Sequence, residues 1–552
     1  MTKRIFIFLL SITLLLPTAA LGQTVKISSD ERKMAEEITA GQLSNYLYFV
    51  ASDAMGGRDT PSYGLDVTAE FLKMNLQRWG FKGAGDNGTF FQKMALRREA
   101  IDPAATSIKL GGESFAYGED VARASGSGNI SAPVVFAGNG WMIKSKNMNP
   151  YANIDVRGKV IAVFGEGPMG NRNLVPMPAG VTQADLPAAG RGTEWADVST
   201  YARANGAAGI LLLPSKFLLE NWPAITANFG RSRMVVDKLS PPAPAAAPTT
   251  GAPSVFFASP KLANAIFKGE AGNPLTGYTS SFEVNPGKMF DFTIATKSQV
   301  QWTQNVVALW EGSDPVLKNE MVAIGAHYDH DGINLNAPGD DKIMNGADDD
   351  GSGTVAVLSI AEALAKAKNR PKRSILLVWH AGEEKGLWGA EYFNKFPTVN
   401  IKNVVAQLNI DMIGRSKKEG DTNPLNKDLT GENAIYVIGS EMMSSTLGAI
   451  TKGTNDSYLK LGYDYRYDDP KDTNRFFFRS DHYHYAVNGI PISFWFDGVH
   501  EDYHKPTDHP DKIDYQKMEK VTRTIFLTMW ELADLKERPK IDKELPAELK
   551  LR

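Results

Sequence analysis

MVAIGAHYDHDGINLNAPGDDKIMNGADDDGSG, residues 321–353, is the stretch on which the fold turns. It opens with an apolar run, Met321 to Ala326, of strand length. The run ends on His327, and Asp329 follows two residues later. A Gly-rich acidic loop then brings Asp348, Asp349 and Asp350 to the start of an expected helix, Thr354 to Lys368. An imidazole at a strand end with carboxylates clustered at a helix start suits a metal ion. All 8 histidines, at 327, 330, 380, 482, 484, 500, 504 and 509, lie in the C-terminal half, so the site is expected there.

Outward from this stretch, apolar runs recur at Asn305–Trp310, Val322–Ala326, Ile375–Trp379, Val404–Ile410, Ile435–Ile438 and Ile490–Phe496. Helical segments fall between several of them, and another closes the chain at Tyr515–Leu535. Continuous apolar strands alternating with helices predict an α/β fold, a mainly parallel or mixed sheet sandwiched by helices. Ligands of such sheets gather at the carboxyl ends of the strands. There the sequence places His327, then Glu383 and Glu384 after the third run, Asp411 after the fourth, and His504 in the loop after the last. Two histidines and several carboxylates are enough for two metals sharing one carboxylate, with a further acid as base for water.

The 552 residues, 43% hydrophobic and 22% charged, allow two or more domains. A net charge of -3 leaves no electrostatic footprint for nucleic acid. With 0 cysteines, disulfides, thiolate metal sites and cysteine catalysis are excluded. Lys3 and Arg4, the apolar Ile5–Leu16 and the small residues Ala20-Leu21-Gly22 predict a signal peptide over 1–22, too short for a membrane span, and an exported, periplasmic or secreted protein. Residues 28–80 are expected to be largely helical, with one helix at Leu65–Trp79 stopped by Gly80. Residues 105–290 turn to Gly, Ala and Pro, with short strands at Val134–Ala137, Val160–Phe164 and Ile210–Leu213, a helix at Ala196–Asn205 and a loop at Pro241–Pro253. Without a histidine or an acidic cluster, this part is expected to be a separate, noncatalytic domain.

The segments HYD, GADDDGSG, GEE, NIDMIGR and YHKPTD, in that order, with the earlier loop MGGRDTPSYG, resemble the dinuclear zinc exopeptidases that include bacterial leucyl aminopeptidases and glutamate carboxypeptidase. DVRGKVIAVF and GAAGILLLPS resemble the protease-associated domain inserted in some members. The resemblance implies a zinc exopeptidase fold with N-terminal part 23–110, a smaller β-rich inserted domain 111–290 and a catalytic domain 291–540. It implies two Zn2+ bridged by Asp349, with His327 and Asp411 on one and Glu384 and His504 on the other. Glu383 would be the general base, and Asp329 would orient His327. The implied activity is hydrolysis of peptides, by an aminopeptidase first, with carboxypeptidase, glutaminyl cyclase and a noncatalytic binding ectodomain as alternatives.

Counting Asp348 as the first position of a calcium loop puts Gly353 sixth as required, but Ser359 twelfth in place of glutamate. His500-Glu501-Asp502-Tyr503-His504 spells HExxH, which works on a helix; Gly498 and Pro506 argue against a helix here, so His500 is not expected to be a ligand. His330, His380 and His484 read as surface or satisfied core histidines. Arg415 is left open between a substrate carboxylate and a structural ion pair. The chain has no G-x-S-x-G, which disfavours a serine hydrolase.

Overall fold

A computed structural model describes residues 25–125, 129–165, 174–229, 232–241 and 253–550. The expected signal segment lies outside these residues, as does 242–252 of the Pro-rich loop. The chain divides into two compact units, one of Met1–Met94 with Trp302–Arg552, the other Ala95–Gln301. These boundaries stand against expected ones at 110/111 and 290/291.

The strands relevant to the site are β1 (Thr296–Trp310, in the first unit from Trp302 onward) and, all in the first unit, β2 (Met321–His327), β3 (Ser374–His380), β4 (Val404–Ile410), β5 (Ala434–Ile438), β6 (Gly462–Asp464) and β7 (Ile492–Phe496). They lie in the order β1-β3-β2-β4-β7-β5-β6. β3, β2, β4 and β7 are mutually parallel, and β1 and β5 join them antiparallel. The sheet is therefore mixed around a parallel centre. Every residue of β2, β3, β4 and β7 is buried, which is why their sequences read as unbroken apolar runs.

Helices cover both faces. They include α1 (Ala40–Val50), α2 (Tyr63–Arg78), α3 (Gly353–Lys366), α4 (Trp388–Lys395), α5 (His482–Val487) and α6 (Tyr515–Asp534). Met321, Ala323, Leu376 and Val378 share one core with Phe393 of α4 and Tyr485 of α5. Alternation along the strands sends their neighbours to the other face. There Trp379 donates its indole N–H to the Thr354 carbonyl of α3 at 3.0 Å, and α3 and α6 pack on β2. Each fully buried large side chain contributes roughly 1.5–3 kcal/mol to holding these layers together.

Helix ends follow their caps. α2 starts two residues before the expected Leu65 because the Ser62 hydroxyl accepts the Leu65 N–H at 3.1 Å. α6 starts at Tyr515 as the pattern predicts, capped by Asp514, which accepts the Lys517 N–H at 3.1 Å. α3 ends at Lys366, two residues short of the expected Lys368, where Ala367 turns extended. No described helix is long and apolar enough to cross a membrane.

The second unit has its own sheet. Ile130–Phe136, Val160–Phe164, Gly209–Leu213 and Ser254–Ala258 run parallel in that order. The helices Val198–Ala204 and Pro260–Phe267 flank it, and two separate apolar clusters pack against it. A cavity of about 840 Å³ in this unit is lined by groups such as Phe136, Asn139, Met148 and Tyr278, with no histidine or carboxylate.

Candidate metal centre

Because β3, β2 and β4 are parallel and in register, with His327 opposite His380 and Gly325 opposite Asn409, their carboxyl ends reach one edge together. His327 ends β2, Asp411 directly follows β4, and the loop after β3 supplies Glu383 and Glu384. Asp349 arrives from the wide turn Ala347–Ser352 ahead of α3. His504 arrives from the turns after β7.

These six side chains converge. His327 Nε2 lies 3.3 Å from Asp349 Oδ1 and 3.6 Å from Asp411 Oδ2. His504 Nε2 lies 3.0 Å from Asp349 Oδ2 and 3.3 Å from Glu384 Oε2. Asp349 thus points one oxygen at each histidine. Glu383 Oε2 approaches His327 Nε2 at 4.0 Å.

Asp329 acts on both sides of this cluster. Its backbone carbonyl lies 3.2 Å from His327 Nδ1, while its carboxylate accepts the Glu383 N–H at 3.1 Å. The main-chain carbonyl is the nearer contact to His327, the carboxylate Oδ1 lies 3.7 Å from the same Nδ1, and the carboxylate also fixes the Glu383 backbone.

The three consecutive aspartates do three different things. Asp348 Oδ1 accepts the Gly414 N–H at 2.7 Å, and its other oxygen faces His500 Nε2 at 3.2 Å. Asp349 faces the cluster. Asp350 accepts the N–H groups of His327 at 3.2 Å, Gly353 at 2.8 Å and Met412 at 3.2 Å, tying three ligand-bearing segments together. Met412, next to Asp411, takes a left-handed φ of 58°, sparsely populated for this residue type and held here by that bond. Gly346, at φ 55°, needs to be glycine, since a Cβ there would meet the Asp349 carbonyl at 2.2 Å and the His330 ring at 2.5 Å.

His330 departs from its expected reading. It is fully buried, neither ring nitrogen has a hydrogen bond, and Nδ1 lies 2.7 Å from Glu384 Oε1. It is neither a surface histidine nor a satisfied one. Asp331, which the sequence reading passed over, lies 3.4 Å from His504 Nδ1. The adjacency of both to His327 and Asp329 was the available signal. His380 is satisfied at one nitrogen only: Nε2 lies 3.1 Å from the Tyr485 hydroxyl, while Nδ1 has no hydrogen bond and faces Asp481 Oδ2 at 3.3 Å. The HExxH stretch is a run of turns. His500 faces Asp348 and accepts the Asp502 N–H at 3.2 Å, away from the convergent ligands. Arg415 pairs with Asp502 at 2.9 Å, in the interior, which is the ion-pair arrangement of its two expected readings.

The donor set fits metal ions. Three groups, His327/Asp349/Asp411, His330/Asp349/Glu384 and Asp331/Glu384/His504, each offer ligand atoms within 4.8 Å of one another. Buried His327 Nε2 and Glu384 Oε1 have no hydrogen bond to satisfy them. Burial, then the surrounding acids, pushes Glu383 and Glu384 well above the ordinary carboxylate range. Against the penalty of burial, Asp349 and Glu384 hold His504 up to about 9, and Asp411 and Asp329 hold His327 well above the usual imidazole range. The carboxylates draw positive charge onto the imidazoles, and divalent cations meet the same demand.

Beside these groups lies a cavity of about 210 Å³, walled by Met412, Phe476, Phe494, Phe496, Val499 and Tyr503.

The sequence carries relationships consistent with this geometry. Residues 305–529 match the model of Peptidase family M28. Over 249 residues, 43% of this chain, it is 28% identical to a "Probable leucine aminopeptidase" of Arthroderma otae, covering 60% of that protein. Over 270 residues, 43% of this chain, it is 28% identical to a "Probable zinc metalloprotease" of Phaeosphaeria nodorum, covering 53% of that one. The match therefore spans little more than half the length of these curated relatives. The solved aminopeptidase from Aneurinibacillus sp. strain AM-1 aligns over 93% of this chain and 97% of its own, at 15% identity and a TM-score of 0.45. The stretch 305–529, which carries the convergent histidines and carboxylates, is the part of the chain that matches the model of Peptidase family M28.

Proposed function

We propose that this protein is a zinc-dependent aminopeptidase that removes N-terminal residues from peptides. The observation that carries this reading is Asp349, one carboxylate shared between two opposed sets of ligands. His327 and Asp411 would hold one zinc with Asp349, and Glu384 and His504 the other, with His330 and Asp331 close to the second set. The names of the relatives support zinc and an aminopeptidase activity. When bound, the pair of ions would polarise the scissile carbonyl and acidify the attacking water.

The protein's own residues do the rest. Glu383 takes the water proton on Oε2 and returns it to the departing amine. Its main chain is fixed by the bond from its N–H to Asp329, so the carboxylate swings over a short arc. Burial raises its proton affinity first, and the Glu384 and Asp411 charges add to that, which suits a group that accepts and releases a proton. The apolar wall of Phe494, Phe496 and Val499 takes the side chain of the terminal residue and keeps bulk water from the reacting atoms.

The start of the chain, Lys3 and Arg4 before an apolar run, supports action after export. The DVRGKVIAVF and GAAGILLLPS segments support a protease-associated reading of the second unit.

The test is to incubate zinc-loaded protein with a mixed peptide pool and weigh the products. Ladders shortened from the amino end are expected. Shortening from the carboxyl end would replace the reading with a carboxypeptidase, loss of ammonia from N-terminal glutamine with a cyclase, and an unchanged pool with a binding ectodomain.

A further inference from the structure

Arg479 stands out in the wall of the cavity beside the metal centre. The other charged groups lining that cavity are Asp349, Glu383, Glu384, Asp411 and His504. Arg479 is exposed, while the carboxylates and His327 beneath it are largely buried. Its Nη2 donates to the Tyr503 hydroxyl at 3.0 Å. Its guanidinium lies over the Phe476 ring at 4.9 Å and the Tyr503 ring at 5.8 Å. Among the described residues no carboxylate comes within ion-pair distance of it. Arg415, by contrast, is committed to Asp502.

Stacking and one hydrogen bond aim this guanidinium without neutralising it. It has five N–H donors, and a planar fork of them matches a carboxylate. The Tyr503 ring that holds it lies 4.0 Å, centre to centre, from the His504 ring, so the cation is one side chain away from the metal ligands. The cavity, at about 210 Å³, is smaller than the roughly 300–1,000 Å³ of sites that enclose a whole ligand. It accommodates the terminal residue and leaves the rest of the substrate at the mouth, where Arg479 sits.

We infer that the Arg479 guanidinium is a specificity residue that binds a carboxylate on the leaving side of the scissile bond, so that the enzyme favours substrates carrying an anion there. This rests on the aminopeptidase reading, which puts the leaving side at the mouth. The carboxylate has two sources, the C-terminus of a dipeptide or the side chain of an acidic second residue.

The experiment measures kcat/KM of the zinc-loaded full chain on four substrates. Leu-Ala against Leu-Ala-amide reports the terminal carboxylate, and Leu-Asp-amide against Leu-Asn-amide reports the side chain. The wild type is expected to favour the anionic member of at least one pair by about tenfold or more, as for a charge-assisted hydrogen bond. Arg479→Gln should bring that ratio close to one, and Arg479→Lys should retain part of it. Zinc content measured on each variant separates loss of the ratio from loss of the metal centre. The pair that responds identifies the source. Ratios near one in the wild type, or a ratio unchanged in Arg479→Gln, would overturn the inference and leave the peptidase standing. No cleavage of any of the four would remove the peptidase reading and this inference with it.

Discussion

The carboxylate of Asp508 accepts the main-chain N–H of Asp349 at 3.2 Å and that of Asp348 at 2.9 Å. Asp508 is fully buried, four residues past His504, so one loop supplies both a proposed ligand and the group that holds the Asp349 backbone in place. Asp508→Ala leaves two buried donors unpaired and frees Asp349 to move. Zinc affinity, read by competition with a chromogenic chelator, is expected to fall about 10–100-fold. A variant that binds zinc as tightly as wild type would show that Asp349 is placed by other contacts.

Glu383→Gln preserves shape and hydrogen bonding to Asp329 through the backbone, but it cannot accept a proton. Turnover is expected to drop by about 10²–10⁴ with zinc content unchanged, measured on Leu-Ala-amide alongside metal analysis. Activity within a few fold of wild type would remove Glu383 from the base role.

Metal removal should act on stability as well as activity. Dialysis against a strong chelator leaves Asp349, Glu383, Glu384 and Asp411 crowded without divalent charge. The melting temperature is expected to fall, and to rise again with added zinc in a concentration-dependent way. Metal analysis should return two zinc ions per chain in the wild type and one in His327→Ala.

Arg58, from the early MGGRDTPSYG loop, is buried and donates to four main-chain carbonyls: Val50 at 2.8 Å, Tyr328 at 3.0 Å, Asn345 at 2.7 Å and Gly346 at 2.9 Å. Burial lowers its pKa to about 10, and it stays charged at neutral pH. Arg58→Ala leaves those carbonyls unsatisfied around His327 and Asp349. A loss of about 3 kcal/mol or more is expected by urea unfolding, with weakened zinc binding. A change below about 1 kcal/mol would show that water replaces the guanidinium there.

Glu531 on α6 gives a pH signature away from the site. Burial, then the charges of Glu31 and Asp534, raise it to about 7 from an ordinary value near 4.5. The folded state binds this proton more tightly than the unfolded one. Its stabilising effect is therefore complete below about pH 4.5 and is lost as pH rises towards 7. Glu531→Gln should remove that slope and raise the melting temperature at pH 8 relative to wild type. An unchanged difference between pH 5 and pH 8 would assign the slope to other groups.

The ligand types and their strands were legible because a parallel sheet buried on both faces writes each strand as an apolar run, and the residue that ends the run marks the edge. His327 and Asp411 are read that way, and Glu383 and Glu384 by their place after β3. Asp348 to Asp350 are identical in type, so nothing local distinguishes the one that faces the cluster. Their roles depend on which backbone amides come near: Gly414 for Asp348, and His327, Gly353 and Met412 for Asp350. His330 was obscured by its neighbours, since along an ideal strand it would point away from Asp329. The chain leaves β2 at His327, and the strand alternation no longer applies. Arg479 had no local signature, because its meaning comes from the lack of a nearby acid, which only the folded chain reveals.

The reach of Arg58 bears on how this protein can be cut. The family match begins at residue 305, yet a side chain at position 58 secures the carbonyls on which the ligand loops hang. The match also stops at 529, inside the closing helix that runs to Asp534. An excised 305–529 fragment would carry every proposed zinc ligand but would lack the guanidinium that gathers the Tyr328, Asn345 and Gly346 carbonyls. The limits of the family match are therefore not the limits of the structure that places these side chains: a working piece is expected to include the amino-terminal segment that carries Arg58, however little its sequence advertises the chemistry.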